Sequence, residues 1–234
     1  MVEGGSTLDL GALVLEHIGR YRISFLPVME RVFAGLGDVK GTVQKFQKAG
    51  LITALGRTAG FGSILGGFTA YQLTAKGANQ VGYTEKRAKK LNENGLEISF
   101  RVLWLCCMGT IRYRRLEETH LMQLFGHPLK SKNGNYCMEL DGESRVYRIR
   151  LLGQESKDEY VLRETRKDLT ECGGLPLVKE FCQHGRYGNL LVVSKPERRR
   201  RLEERVNKQG LKLLGHVRVA QVPDLAEIKG AFGD

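Results

Sequence analysis

Lys40, Gln44, Lys45 and Lys48 recur at helical spacing in the first quarter of the chain, and Arg57 follows nine residues on. Lysine and arginine meet phosphate oxygens or guanine, and a glutamine amide pairs bidentately with adenine. No acid follows Asp38 in the stretch from residue 38 to 48, so nothing local neutralises these groups. A second basic set lies at Arg198, Arg199 and Arg201, within a run of four arginines. Four consecutive residues point around most of a helix, so only some can face one ligand. Phosphate contact is one use for them; pairing with Glu197, Glu203 and Glu204 along a solvated helix is the other. The five cysteines are odd in number, include the adjacent Cys106 and Cys107, and show no C-x-x-C spacing. The five histidines do not cluster near them, so buried reduced thiols are expected rather than disulfides or a metal held by cysteine. His120, beside Glu117 and Glu118, reads as a residue of a helix surface.

The whole composition favours the same partner. Lys and Arg number 37 against 26 Asp and Glu, a net charge of +11. Such a surplus suits polyanions, nucleic acid before an anionic membrane. The most apolar run, residues 98–111, is too short to span a bilayer and contains Arg101. Residues 1–7 are polar and Gly-rich, without the apolar core of a secretion signal. A cytoplasmic protein without membrane partners is the expectation.

The elements that must position these residues follow from periodicity. Leu10, Leu13, Val14 and Ile18 form one stripe of a first helix with Asp9 at its positive end. After an extended link at 21–24, residues 25–33 suit a second helix with Pro27 in its first turn. Asp38 caps a third, in which Val39, Val43 and Phe46 face the core and Gly50 supplies the stop. Residues 51–55 and 68–74 read as strands around a Gly-rich loop at 56–67, which holds Arg57. Helix, helix, glycine turn, basic helix and hairpin is the order of a winged helix-turn-helix, whose third helix enters the major groove.

A short helix at 75–82 leads to a charged segment, and composition shifts there. The domains predicted are therefore 1–84, a charged linker at 85–95, and 96–234. In the second, helices are expected at 96–108 and 116–125, then strands at 135–140 and 145–152 around Asp141-Gly142. Helices at 157–170 and 175–183 precede a buried strand at 190–193. Ser194 would cap a basic helix at 196–208, and residues 211–222 supply one or two more strands. That alternation makes an α/β layer, and the fold class of the whole is α+β with an α/β second part.

The chain resembles the replication-relaxation family of plasmid proteins and, more distantly, plasmid mobilisation relaxases. Tyr71 to Gly77 (YQLTAKG), Met138 to Gly142 (MELDG) and Leu191 to Leu202 (LVVSKPERRRRL) carry the likeness. The resemblance implies an N-terminal winged helix and a small restriction-endonuclease-like α/β domain. That chemistry needs an acid on one strand and an acid-x-Lys group on the next, with carboxylates holding Mg²⁺ and Lys helping to activate water. Aligned on Asp141-Gly142, the first acid's place falls on Gly134-Asn135 and the second on Tyr147 to Leu151 (YRIRL). Two arginines there repel Mg²⁺ and cannot ligate it, so no catalytic residue, metal or cofactor is expected. The alternative takes Asp141, Glu155 and Lys157 as a literal D…E-x-K set and would need Mg²⁺.

The reading is a DNA-binding protein of a plasmid or other mobile element. A winged helix would contact double-stranded DNA through Lys40, Gln44, Lys45, Lys48 and Arg57. A degenerate nuclease-like domain would add phosphate contacts from Arg198, Arg199 and Arg201, or form a homodimer, regulating transcription, replication or transfer. A Mg²⁺-dependent nicking enzyme and a protein-binding adaptor with a basic face are the alternatives.

Overall fold

The computed structural model describes residues 9–55, 69–127, 129, 135–172 and 174–223. It is a mixed α+β structure with two separate sheets, and it divides into two compact units between Leu103 and Trp104.

The first unit opens with α1 (Leu10–Tyr21), whose N-cap Asp9 accepts from the Gly11 N–H at 2.9 Å. A two-residue strand, β1 (Ser24–Phe25), runs directly into α2 (Leu26–Val32). Then come α3 (Val39–Lys48), β2 (Ile52–Leu55), β3 (Ala70–Leu73) and α4 (Ala75–Gln80). The extended link expected at 21–24 thus ends in a strand: Ser24 pairs with Tyr71 and Phe25 with Ala70, giving an antiparallel sheet ordered β1-β3-β2. One face of this sheet, through Ile52 and Leu73, packs on Val14, Leu15, Ile18, Met29, Val39 and Val43. Alternation along β3 turns Gln72 to the other face, where its amide donates to the carbonyls of Lys89 (2.7 Å) and Arg87 (3.3 Å).

The charged segment after α4 is therefore bound to the first unit instead of linking freely, with a 3₁₀ turn at Glu85–Arg87. The next helix, α5 (Glu93–Cys107), belongs to this unit through Leu103, and its Phe100 ring meets Phe25 edge-on at 6.0 Å. The boundary consequently lies inside α5, later than the composition shift at 85–95.

The second unit carries a five-stranded sheet in the order β4-β5-β6-β7-β8. Its strands are β4 (Tyr113–Leu116), β5 (Asn135–Glu139), β6 (Val146–Leu151), β7 (Tyr187–Val193) and β8 (His216–Gln221). The first three pair antiparallel; β6, β7 and β8 pair parallel. Between them lie α6 (Glu118–Phe125), α7 (Asp158–Cys172), α8 (Pro176–Gln183) and α9 (Pro196–Lys208). Leu116, expected to open a helix, instead closes β4, because its side chain completes the layer with Leu121 and Tyr136. Val161, Leu162, Val178, Leu202 and Val206 from α7, α8 and α9 cover one sheet face, against Leu191, Val193, Val217 and Val219. On the other face Cys137 is buried, and burial first, then the neighbouring Cys106, pushes its thiol pKa up. The N-cap of α9 is Lys195, without a side-chain cap, rather than Ser194. Among the described residues no helix is long and apolar enough to cross a membrane.

Candidate nucleic-acid interface

The third helix is held at both ends. Asp38 Oδ1 accepts from the Gly41 N–H at 2.8 Å, and the Thr42 hydroxyl donates to the Asp38 carbonyl at 2.8 Å. Val39 and Val43 are buried, each contributing about 1.5–3 kcal/mol by leaving water. Gly50 reverses the chain at φ +68°. The Thr74 hydroxyl then donates to the carbonyls of Gly50 (2.7 Å) and Leu51 (3.1 Å) and accepts from the Gly77 N–H (3.2 Å). Lys76 Nζ donates to the Ala49 carbonyl at 3.1 Å. A Cβ on Gly77 would stand 2.0 Å from the Leu51 oxygen, so only glycine lets α4 close on this junction. The T-x-K-G stretch singled out in the sequence is thus a clasp on the C-terminus of α3.

Opposite the buried stripe, Lys40, Gln44, Lys45, Gln47 and Lys48 are all exposed. None of these side chains has a hydrogen-bond or ion-pair partner among the described residues. Gln44, Gln47 and Lys48 together line a shallow concavity. Gln47 is absent from the set picked out by sequence; its spacing of three from Gln44 is the signal that would have found it. Arg57 lies outside the described residues.

The arginines of α9 are differently disposed. Arg198 donates to Asp158 Oδ1 at 3.0 Å, to the Gly153 carbonyl at 2.6 Å and to the Ser156 carbonyl. Arg201 donates to Asp158 Oδ2 at 2.7 Å, and Arg205 to Glu159 Oε1 at 2.5 Å. Arg199 pairs with Glu203 at 3.0 Å along the helix. Burial works to raise the Asp158 carboxyl, but the hydrogen bonds from Arg201 and Arg198 outweigh it and hold the group below the usual carboxylate range. Arg198 and Arg201 therefore fasten α9 to the start of α7, and Arg200 is left exposed.

The alternative acid set does not converge. Asp141, just past β5, receives Arg112 at 2.6 Å from Nη2, 3.1 Å from Nε and 3.1 Å from the backbone N–H. Those hydrogen bonds depress its carboxyl. Glu155 and Lys157 are exposed beyond the far end of β6. Six strand residues lie between the two acids' turns, a separation of at least about 16 Å at the rise of a β-strand.

Within β6, Arg148 and Arg150 converge instead on the buried Asp168 of α7, which also accepts from Asn189 at 3.0 Å and Tyr187 at 3.3 Å. Another buried carboxylate, Glu139, meets Arg218 at 3.2 Å, the Tyr147 hydroxyl at 3.3 Å and Arg145 at 3.8 Å. Each is ringed by arginine rather than by a second acid. Among the described residues no three His, Cys, Asp or Glu side chains gather as a metal site would require. No family model, curated protein or solved structure matches the chain.

Proposed function

We propose that this chain binds double-stranded DNA without cleaving it, through a winged helix in the first unit that presents α3 to the major groove. The carrying observation is the outer face of α3: five polar side chains, three of them lysines, exposed and unpartnered, on a helix clamped at both ends. Helix, strand, helix, helix, strand, strand with sheet order β1-β3-β2 suits that reading, since it is how a winged helix closes its sheet. Lys40, Lys45 and Lys48 would take phosphates; Gln44 and Gln47 are placed for base edges. An antiparallel β4-β5-β6 run followed by parallel β7 is compatible with a nuclease-like second unit. Its buried acids, Glu139, Asp158 and Asp168, are tied to arginines, which favours a binding or dimerising role over chemistry. Occupancy of a site would regulate transcription, replication or transfer of the DNA that carries it.

The test is a gel shift in EDTA beside nicking of supercoiled plasmid with Mg²⁺ or Mn²⁺. Binding without nicking, lost in Lys40→Glu/Lys45→Glu, is the expected result. Metal-dependent nicking abolished by Glu155→Ala would replace this reading with a nuclease. Binding that survives the charge reversal would remove α3 from the interface.

A further inference from the structure

The segment following α4 carries Lys86, Arg87, Lys89 and Lys90 within five residues, with Glu85 the one acid among residues 81–92. A solvated charge run needs no fixed backbone, yet this one is fixed. Gln72, only 1% exposed, gives its amide hydrogens to the carbonyls of Arg87 and Lys89. Arg22 Nη2 donates to the Lys86 carbonyl at 3.3 Å, and the Arg87 guanidinium stacks 5.3 Å from the centre of the Tyr83 ring. Lys86, Lys89 and Lys90 remain exposed, so the strap holds its backbone against the sheet and its charges in water.

Arg22 sharpens the case. It caps α1 in the left-handed region at φ +71°, a conformation that costs a non-glycine residue on the order of 1 kcal/mol. Its Nε is buried without a hydrogen-bond partner, and no carboxylate pairs with it among the described residues. Burial first, and then repulsion from Arg87, disfavours its charged form. The fold thus concentrates cations whose mutual repulsion an incoming polyanion would relieve.

We propose that Arg22, Lys86, Arg87, Lys89 and Lys90 form a second surface for a nucleic-acid phosphate backbone, held by Gln72 and separate from α3. The proposal rests on the reading of the first unit as a DNA binder and adds a contact surface to it. Backbone contacts of this kind add affinity at every sequence alike and steepen its dependence on salt.

The experiment compares the full chain with Lys86→Gln/Lys89→Gln/Lys90→Gln and with Lys40→Glu/Lys45→Glu. The probe is a fluorescent random-sequence duplex of roughly 40 base pairs, titrated across a salt series, with sodium polyglutamate as a parallel probe. None of the three strap side chains makes a described contact, so the first variant keeps its fold. The expected result is a slope of log affinity against log salt shallower by about 2–3, from about 0.9 per lost phosphate contact. Dissociation constants should rise at least about tenfold near physiological salt. Wild-type slope and affinity in the strap variant, with binding lost in the α3 variant, would overturn the strap and leave the DNA reading intact. A wild-type chain that ignores DNA would remove both. Strap-dependent binding of polyglutamate without DNA binding would assign the surface to an acidic protein and likewise overturn the proposal.

Discussion

His17 offers a direct test of how the first unit is packed. Its ring is buried in α1, shares a 3.0 Å hydrogen bond with the Ser24 hydroxyl of β1, and lies 4.9 Å from Tyr21 and 5.4 Å from Phe33. Burial, with Arg20 adding to it, drives its pKa down from 6.5 to about 3. A histidine kept neutral in the folded chain but free to protonate in the unfolded one contributes stability that is whole above about pH 6.5. That contribution drains away as pH falls towards 3. At about pH 5 the unfolded chain gains roughly 1.5 decades of protonation advantage, or about 2 kcal/mol at 1.36 kcal/mol per unit.

His17→Phe keeps the ring contacts and removes the titration, while leaving Ser24 without its partner at a pH-independent cost of about 1 kcal/mol. Urea unfolding followed by far-UV ellipticity should therefore find wild type the more stable by about 1 kcal/mol near pH 7.5. Near pH 5 it should be the less stable by about as much. Other carboxylates and histidines cancel in the difference between the two proteins. Trp104, the sole tryptophan, lies in the second unit, and its fluorescence separates that unit's transition. A gap between the two proteins that stays constant to within about 0.5 kcal/mol across this range would refute the reasoning.

Two further substitutions probe the clasps that position the basic helices. Gly77→Ala forces a methyl against the Leu51 carbonyl, so the unfolding free energy of the first unit from urea titration should fall by about 1–3 kcal/mol despite alanine's better helix propensity; an unchanged unfolding free energy would show that α4 can shift freely. Asp158→Asn leaves Arg198, Arg201 and Arg205 facing one another without their shared anion. It should cost about 2 kcal/mol, below the value for a fully enclosed pair because Arg201 is largely exposed. The variant should also lose less stability on acidification than wild type, whose depressed Asp158 stabilises the fold above the ordinary carboxylate pKa and ceases to as pH falls through its own. Equal acid sensitivity of the two proteins would count against the clasp.

Local pattern was enough for what local physics controls. The apolar stripe of Val39, Val43 and Phe46, the Asp38 cap and the Gly50 stop delimit α3 from neighbouring residues alone, and its exposed lysines follow from the same periodicity. The strands on either side of Asp141-Gly142 and the helix behind Pro196 were legible for the same reason. What escaped depends on partners distant in the chain. Two residues, Ser24 and Phe25, become a strand only because Tyr71 and Ala70 offer a ladder some 46 residues later. Whether an arginine faces DNA or a carboxylate cannot be read from a run of four, since Asp158 lies about forty positions before Arg198 and Arg201. The charged segment at 85–90 looks like a linker until a buried amide from β3 takes hold of its carbonyls. Composition and short-range spacing determine which residues are charged and which helix carries them. Long-range hydrogen bonds and ion pairs decide which of those charges remain available to a partner, because a charge already paired across the fold has little left to offer one.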